Sequence, residues 1–366
     1  MYINITNLVN VADLISGSTA AEQTAMTRLN DLINSHSNMP VLATGVSLPT
    51  ASLENFGKVY YDTDSGNIVI SNGKNWVELT TEVWSRIVYF GGSNYGFTAG
   101  GWAPGDSNVI DRFPFAADAN ATDFGDITTA TYNITGVSNK PGSKGYLITS
   151  YTNVVDFTNS NSATNVTNLS PVSSYTGWGP SGIGNDTTGY FADTNIVRKF
   201  LFSNDTSVSP VVTMSAGNSN LAYMDAGANI GFWGSTEKLD KVNLNTETYT
   251  AVHPASPNEY LWNGSSASSA THGYQQGGYG SPTKPLHIDD IMKFPFASGY
   301  ALAFVGNLSS GVRFSAGQSS EENGYRSGAT DSPDSVIDKY PFSSDTNATN
   351  IGSLTQARGQ TGPMFY

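Results

Sequence analysis

The sequence predicts a mostly β protein whose larger part is a β-propeller of six blades, and three observations predict it. The first is a long internal duplication. From Asn108 the chain reads Asn-Val-Ile-Asp-Arg-Phe-Pro-Phe-Ala-Ala-Asp-Ala-Asn-Ala-Thr-Asp-Phe-Gly-Asp-Ile, and from Ser335 it reads Ser-Val-Ile-Asp-Lys-Tyr-Pro-Phe-Ser-Ser-Asp-Thr-Asn-Ala-Thr-Asn-Ile-Gly-Ser-Leu. The second is a period. Weaker copies lie between these two, and the apolar residues before the Asp-like position (Ile110, Val155, Val197, Leu239, Ile291, Ile337) are 45, 42, 42, 52 and 46 residues apart. The third is an upstream marker in every copy, an aromatic beside glycine: Tyr95-Gly96-Phe97, Gly145-Tyr146, Gly189-Tyr190, Gly231-Phe232, Gly273-Tyr274 and Gly324-Tyr325. Repetition at this spacing is the mark of a repeat architecture.

Each repeat divides into strands. The Gly-aromatic run is one, and the Ile-Asp-Arg-Phe-Pro-Phe run is a second. A third follows an Asn/Asp/Ser turn, as in Phe124 through Thr128, and a fourth is rich in Gly, Ser and Thr, as in Arg313 through Ser320. The runs are β-branched or aromatic, bounded by turn formers, and show no helical period. Four strands in about 45 residues match one propeller blade, and a lone blade cannot bury both its faces, so six copies imply radial stacking. Proline lacks the ladder donor, so Pro114, Pro295 and Pro341 place their strand at an edge or bulge near the rim. The repeated Asp (Asp111, Asp156, Asp240, Asp338) is Arg198 and Met292 in two copies, which favours a turn-stabilising acceptor over a catalytic or metal-binding group. The segment from Thr355 to Tyr366 resembles a strand that opens a blade, and Val83 to Gly92 begins the first repeat, so the two ends are expected to meet in one blade and remove an exposed edge.

Residues 1–40 are expected to form a helical attachment segment. Thr19-Ala20-Ala21-Glu22 fits a capping box, and Met26, Leu29, Leu32 and Ile33 then share one helix face. Leu8, Val11, Leu14 and Ile15 suggest a shorter helix before it. Residues 41–82 are expected to be a linker, with His36 to Ser52 proline-containing and small, followed by a three-stranded meander from Gly57 to Leu79 with Asp-Ser-Gly-Asn and Asn-Gly turns. Trp76 would anchor that meander, which is also a candidate seventh blade. Residues 83–366 are expected to be the propeller.

Composition narrows the function. Of 366 residues only 13% are charged, and the net charge is −13, so binding through phosphate neutralisation on nucleic acid is not expected. There is no cysteine, no signal-peptide pattern and no apolar run long enough to span a membrane. The four histidines (His36, His253, His272, His287) lack metal spacing, and no nucleophile elbow, P-loop or dinucleotide fingerprint occurs. No catalytic, cofactor or metal residue is therefore assigned. Trp102, Trp178, Trp233 and Trp262, with Gln275 and Tyr279 in a Gln-Gln-Gly-Gly-Tyr-Gly loop, are the candidate sugar-binding residues, because flat rings beside amides suit CH stacking and hydroxyl hydrogen bonds.

The cycle of Gly-Tyr, Ile-Asp-Lys-Phe-Pro-Phe, Asn-Ala-Thr-Asp and Gly-Asp resembles the kelch-like repeats in virion structural and tail-fibre proteins of bacteriophages, especially those infecting cyanobacteria. Gly100-Gly101, Gly277-Gly278 and Ala357-Arg358-Gly359 are similar to the double-glycine and Arg-x-Gly positions of kelch blades. The resemblance runs from about Trp84 to Tyr366. In the third and fourth repeats Phe200-Leu201-Phe202 and Val242-Asn243-Leu244 replace the motif. It implies a non-catalytic virion component, made in a host cytoplasm, held to other virion proteins through residues 1–80 and displaying its propeller as a tail fibre, appendage or decoration, with host-surface carbohydrate as a further partner. A trimer is the assembly that setting implies, although no heptad run is present. The alternatives are a carbohydrate-active propeller enzyme and a purely architectural connector. Copper-oxidase propellers need a cysteine that is absent, and Ser71 to Trp76 has the wrong spacing for a sialidase Asp-box.

Overall fold

The computed structural model describes the strands within 41–42, 59–62, 67–71 and 76–79, and residues 91–366 apart from 103, 150–151, 160–162, 167–181, 204–207, 215–220, 235–238, 253–262, 280–286 and 331–333. Two compact units result, Met1–Val88 and Tyr89–Tyr366. In the first, β1 (Val41–Leu42), β2 (Val59–Asp62), β3 (Asn67–Ser71) and β4 (Trp76–Leu79) form one sheet in that order, with β1 parallel to β2 and the rest antiparallel. The expected meander is present, and the expected linker adds a strand to it. The expected helices of residues 1–40 lie outside the described residues.

The second unit is a six-bladed β-propeller of four-stranded antiparallel sheets. The first blade runs from hub to rim as β28 (Gly362–Phe365), β5 (Tyr95–Trp102), β6 (Asp106–Pro114) and β7 (Thr122–Asp126). The second is β8 (Thr135–Asn139), β9 (Lys144–Ile148), β10 (Thr152–Asp156) and β11 (Thr164–Val166). The third is β12 (Gly182–Gly184), β13 (Thr188–Asp193), β14 (Ile196–Leu201) and β15 (Ser209–Thr213). The fourth is β16 (Leu221–Asp225), β17 (Ile230–Gly234), β18 (Leu239–Asn243) and β19 (Thr248–Val252). The fifth is β20 (Ser265–Ser268), β21 (His272–Tyr279), β22 (His287–Pro295) and β23 (Ala303–Asn307), and the sixth is β24 (Ala316–Ser319), β25 (Asn323–Ala329), β26 (Asp334–Pro341) and β27 (Thr349–Ser353). The innermost strands β28, β8, β12, β16, β20 and β24 neighbour one another in a closed circle. The ends do meet in one blade: β28 pairs with β5, and Tyr95 and Tyr366 exchange backbone hydrogen bonds of 2.7 and 2.8 Å. Six sheets complete the ring, so the N-terminal sheet, which belongs to the other unit, is not a seventh blade.

Register gives each residue of the repeated phrase a task. Ile110, Val197, Leu239, Ile291 and Ile337 are buried between sheets. The next ring along, Phe113, Phe200, Phe294 or Tyr340, lies cross-strand from the marker glycine, Gly96, Gly189, Gly273 or Gly324. A Cβ on those glycines would fall 2.3–2.5 Å from the ring, so the ring covers bare backbone that a side chain would otherwise occupy. The last Phe of the phrase reaches into the preceding blade and meets the aromatic that follows its glycine, stacked in Phe97 on Phe157 (4.6 Å), Tyr146 on Phe202 (5.3 Å), Phe232 on Phe296 (5.2 Å) and Tyr325 on Phe115 (4.7 Å), and tilted in Tyr274 with Phe342 (4.7 Å). Between the third and fourth blades Leu244 takes the second place, in one cluster with Tyr190. The basic residue after the Asp crosses the same boundary at the surface, as in Lys339 to Asp118 (2.7 Å) and Lys293 to Asp345 (2.6 Å). Exposed pairs of this kind contribute at most about 1 kcal/mol each.

The Asn-Ala-Thr turn docks on the preceding rim strand. Asn120 Oδ1 accepts from Ser353 N, and Asn347 Oδ1 accepts from Asn307 N, both at 3.0 Å. The glycines there, Gly352 and Gly306, leave room for the turn's carbonyls, which a Cβ would approach to 2.5 and 2.4 Å.

Two expectations are corrected. The Pro-bearing strand is the third of four and not an edge. Pro114 is tolerated because it ends β6, beyond the last residue pair with β7 (Arg112 with Thr122), while Phe115 N still reaches Asn94 O on the inner side. In the second blade Gly145 pairs with Val155 as Gly96 pairs with Phe113, so the counterpart of Ile110-Asp111 is Thr152-Asn153 and not Val155-Asp156.

At the hub the inner strands run so close that three glycines are obligatory. A Cβ on Gly136, Gly182 or Gly317 would lie 1.7, 2.4 or 2.2 Å from a neighbouring inner strand's carbonyl oxygen. Gly136→Ala is expected to lower unfolding stability by about 3 kcal/mol, whereas Gly227→Ala, whose nearest neighbour is 3.6 Å away, should change it by less than about 0.5 kcal/mol in the same thermal-unfolding measurement. Burial pushes the Tyr274 and Tyr325 hydroxyls up to about 12, and it also holds Tyr340 well above the usual tyrosine value. Unfolded tyrosine ionises near pH ~10, so their contribution is whole below that pH and drains away as pH rises towards 12. In an alkaline titration, part of the tyrosinate absorbance should appear only together with loss of the β circular-dichroism signal.

Candidate ligand face

Three of the connections that run from a rim strand to the next hub strand are among the described residues and lie on one face of the propeller. Each of these three is pinned at its start by the following blade. Asp111 accepts from Thr355 N (3.0 Å) and Thr355 Oγ1 (2.6 Å), Asn153 from Thr128 N (3.0 Å) and Oγ1 (2.7 Å), and Asp338 from Ser309 N (3.2 Å). The repeated Asp is thus a turn-stabilising acceptor in the first and sixth blades, as expected, but the turn it holds belongs to the preceding blade's connection. Asp111, Asp240 and Asp338 are wholly buried in mid-strand, and in β6 and β26 the residue follows a bulge. Asp156, by contrast, ends β10 at the surface, where Thr158 hydrogen bonds hold its carboxyl below the usual range.

Buried carboxylates need partners: Asp240 accepts from the Tyr249 hydroxyl (3.2 Å), and for Asp111 and Asp338 the partners are guanidinium groups. Arg358, from the connection entering the first blade, pairs with Asp111 at 2.9 Å and donates to Gly100 O (2.8 Å), Thr98 O (3.1 Å) and Val109 O (3.3 Å). Burial pulls Arg358 below its usual pKa, and Asp111 opposes that. In the sixth blade the cation comes from the sheet itself: Arg326 on β25 pairs with Asp338 (2.7 Å) and Asp334 (2.9 Å). Both arginine side chains are wholly buried. Of these charges, Asp111, Arg358, Asp338 and Arg326 are shut away from solvent, while Asp334 is partly exposed.

The difference in where the arginine comes from opens a cleft. Between the fifth and sixth blades the connection is Ser310-Gly311-Val312, whereas the next one is Gln356-Ala357-Arg358. With Val312 at the position that Arg358 takes in the next connection, about 430 Å³ remains, walled by His287, Ser310, Val312, Thr330, Asp334 and Ser335 among others. Asp334 is committed on both oxygens, to Arg326 Nη1 and to Val336 N (2.7 Å).

Two corners of this face match atom for atom in the backbone. Gly278 N donates to Val312 O (2.8 Å) and Val312 N to Ile288 O (3.1 Å); in the first blade Gly101 N donates to Thr131 O (2.8 Å) and Thr131 N to Ser107 O (3.2 Å). Two residues on, Phe314 and Asn133 both have positive φ, 54° and 56°. Trp102 thus corresponds to Tyr279, and Tyr132 to Arg313. The Arg313 guanidinium lies over the Tyr279 ring, 5.2 Å from its centroid.

Of the candidate sugar-binding residues, Trp102 and Tyr279 reach this face. Trp233 and Gln275 do not: they share one register position, cross-strand from Asp240 and Met292, and both are buried. Trp233 fills the space between the third and fourth blades with Tyr190 and Leu244. Trp178 and Trp262 lie outside the described residues. Sequence reasoning missed Tyr132, Arg313 and the buried Arg326, and marked Arg358 only as a repeat position. The match of Tyr132 with Arg313 rests on the positive φ of Asn133 and Phe314, and phenylalanine gives no sequence signal for that conformation. Among the described residues no three metal-ligating side chains come together. The sequence matches no protein-family model and no curated protein.

Removing one member of the buried pair strands the other charge, so Arg358→Met and Asp111→Asn should each destabilise the protein by about 3–5 kcal/mol. Denaturant unfolding of the double variant tests the coupling, since a loss smaller than the sum of the singles is expected.

Proposed function

We propose that this chain is a non-catalytic structural component of a bacteriophage particle, a tail fibre, appendage or surface decoration, held to other virion proteins through residues 1–80 and displaying the propeller for adhesion to host-surface carbohydrate. The cleft between the fifth and sixth blades carries the adhesive part of this reading. Its volume suits one or two sugar units, its wall offers hydroxyl groups and an imidazole, and Tyr279 and Arg313 stand next to wall residues His287 and Val312. Its carboxylate is already engaged, which suits binding better than proton transfer. The virion part is supported by the resemblance of the repeats. The charge of −13 suits a displayed protein that avoids nucleic acid.

Incubation with purified bacterial envelope polysaccharides, cyanobacterial preparations included, should co-sediment polymer with the protein and release no oligosaccharide. Release would favour the second reading, a carbohydrate-active enzyme, for which the joint presence of His287 and Asp334 in the cleft speaks; His287→Ala should then abolish it. Deleting residues 1–40 should keep the protein out of particles while the propeller still folds, and light scattering on the full chain would reveal the trimer.

A further inference from the structure

We infer that Trp102 and Tyr132 form a second carbohydrate contact, an open aromatic platform for the flat face of a neutral or amino sugar; this rests on the adhesive reading above. The backbone at this corner is the same as at the Tyr279–Arg313 corner, but the side-chain arrangement is not. There, a planar cation already covers the tyrosine ring. Here, Trp102 and Tyr132 are 39% and 42% exposed, two of the few large apolar side chains of the described residues that face water. Among the described residues neither ring has another ring or a guanidinium against it. The aromatic face that the fifth-blade corner fills internally is left available.

The surroundings select the occupant. Trp102 lies cross-strand from exposed Asp106, and its backbone bridges to Gly359, next to Arg358, whose charge is engaged inside the sheet. Among the described residues the exposed polar side chains on the paired and adjoining segments include Asp106, Asn108, Thr128, Thr129, Thr355 and Gln356, and none of these is a cation. Carboxylate, amide and hydroxyl groups beside two rings complement the hydroxyls, acetamides or amines of a sugar whose CH face stacks on the aromatics. The same carboxylate repels uronic or sialic acids.

The test uses the full chain and four probes: maltotetraose, cellotetraose, chitotetraose and tri-galacturonate, followed by calorimetry and by the indole N–H resonances in NMR. At least one of the three uncharged probes should bind and shift the Trp102 resonance, and tri-galacturonate should not. Trp102→Ala should weaken that binding by about tenfold or more. Tyr132→Arg, which installs the residue found at the matching corner, should do the same while leaving the unfolding temperature unchanged. The inference is overturned if no uncharged probe binds, or if both substitutions leave the binding as it was. If the variants still retain envelope polysaccharide as the parent does, the platform is refuted and the adhesive function stands; if the parent retains none, both fall.

Discussion

The aromatic pair that crosses five of the six blade boundaries is the contact on which the rest of the ring depends. Phe97 on Phe157 and Tyr325 on Phe115 each join the Gly-aromatic marker of one blade to the phenylalanine that ends the repeated phrase of the next. Such a pair adds about 0.5–1.5 kcal/mol to the area it buries; four of the five are stacked and the fifth, Tyr274 with Phe342, is tilted. The neighbouring glycine is what lets the geometry work. It removes a side chain so that Phe113 or Tyr340 can lie flat on the strand beside it, and that ring then supports the stacked one. The hub has the opposite requirement: small residues bring backbones together, and hydroxyl and amide groups such as Gln318, bonded to Thr98 and Ser327, fill the buried space.

Much of this was legible in the sequence because a repeat states its contacts several times over. The strand order, the pairing of the two chain ends and the packing role of the aromatics follow from the recurring phrase. Its Asp was legible as a hydrogen-bond acceptor, but the segment it holds was not, for a physical reason: Asp111 acts on Thr355, which lies 244 residues away in the sequence, and no local pattern tells a buried acceptor for a distant segment from one serving its own turn. The second blade misled for a related reason. Asn153 does the work of Asp there, and Asp156 three residues later offers a closer match in letters but faces solvent. Trp233 and Gln275 looked like ligand groups because tryptophan and glutamine are common in binding loops. Only the register places them at one interior position.

The six blades are alike in backbone and unlike in chemistry. One buried carboxylate draws its arginine from a connection and another from its own sheet, and the volume released by that exchange is the cleft. In the same way one corner closes a tyrosine under a guanidinium while its counterpart leaves a tryptophan open. Diversity on this face comes from single side chains at fixed backbone sites, so recognition can change without disturbing the sheets.

The seam between β28 and β5 has a kinetic consequence. Sheets two to six are built from hairpins of consecutive residues, which form quickly, whereas the seam pairs residues such as Gly362 and Ala99 across nearly the whole domain. During synthesis β5 must therefore wait, its inner edge unpaired, until the last strand leaves the ribosome. An incomplete chain would carry that open edge, and chaperone capture or β-edge aggregation of nascent molecules is the hazard the fold accepts for a ring without a gap.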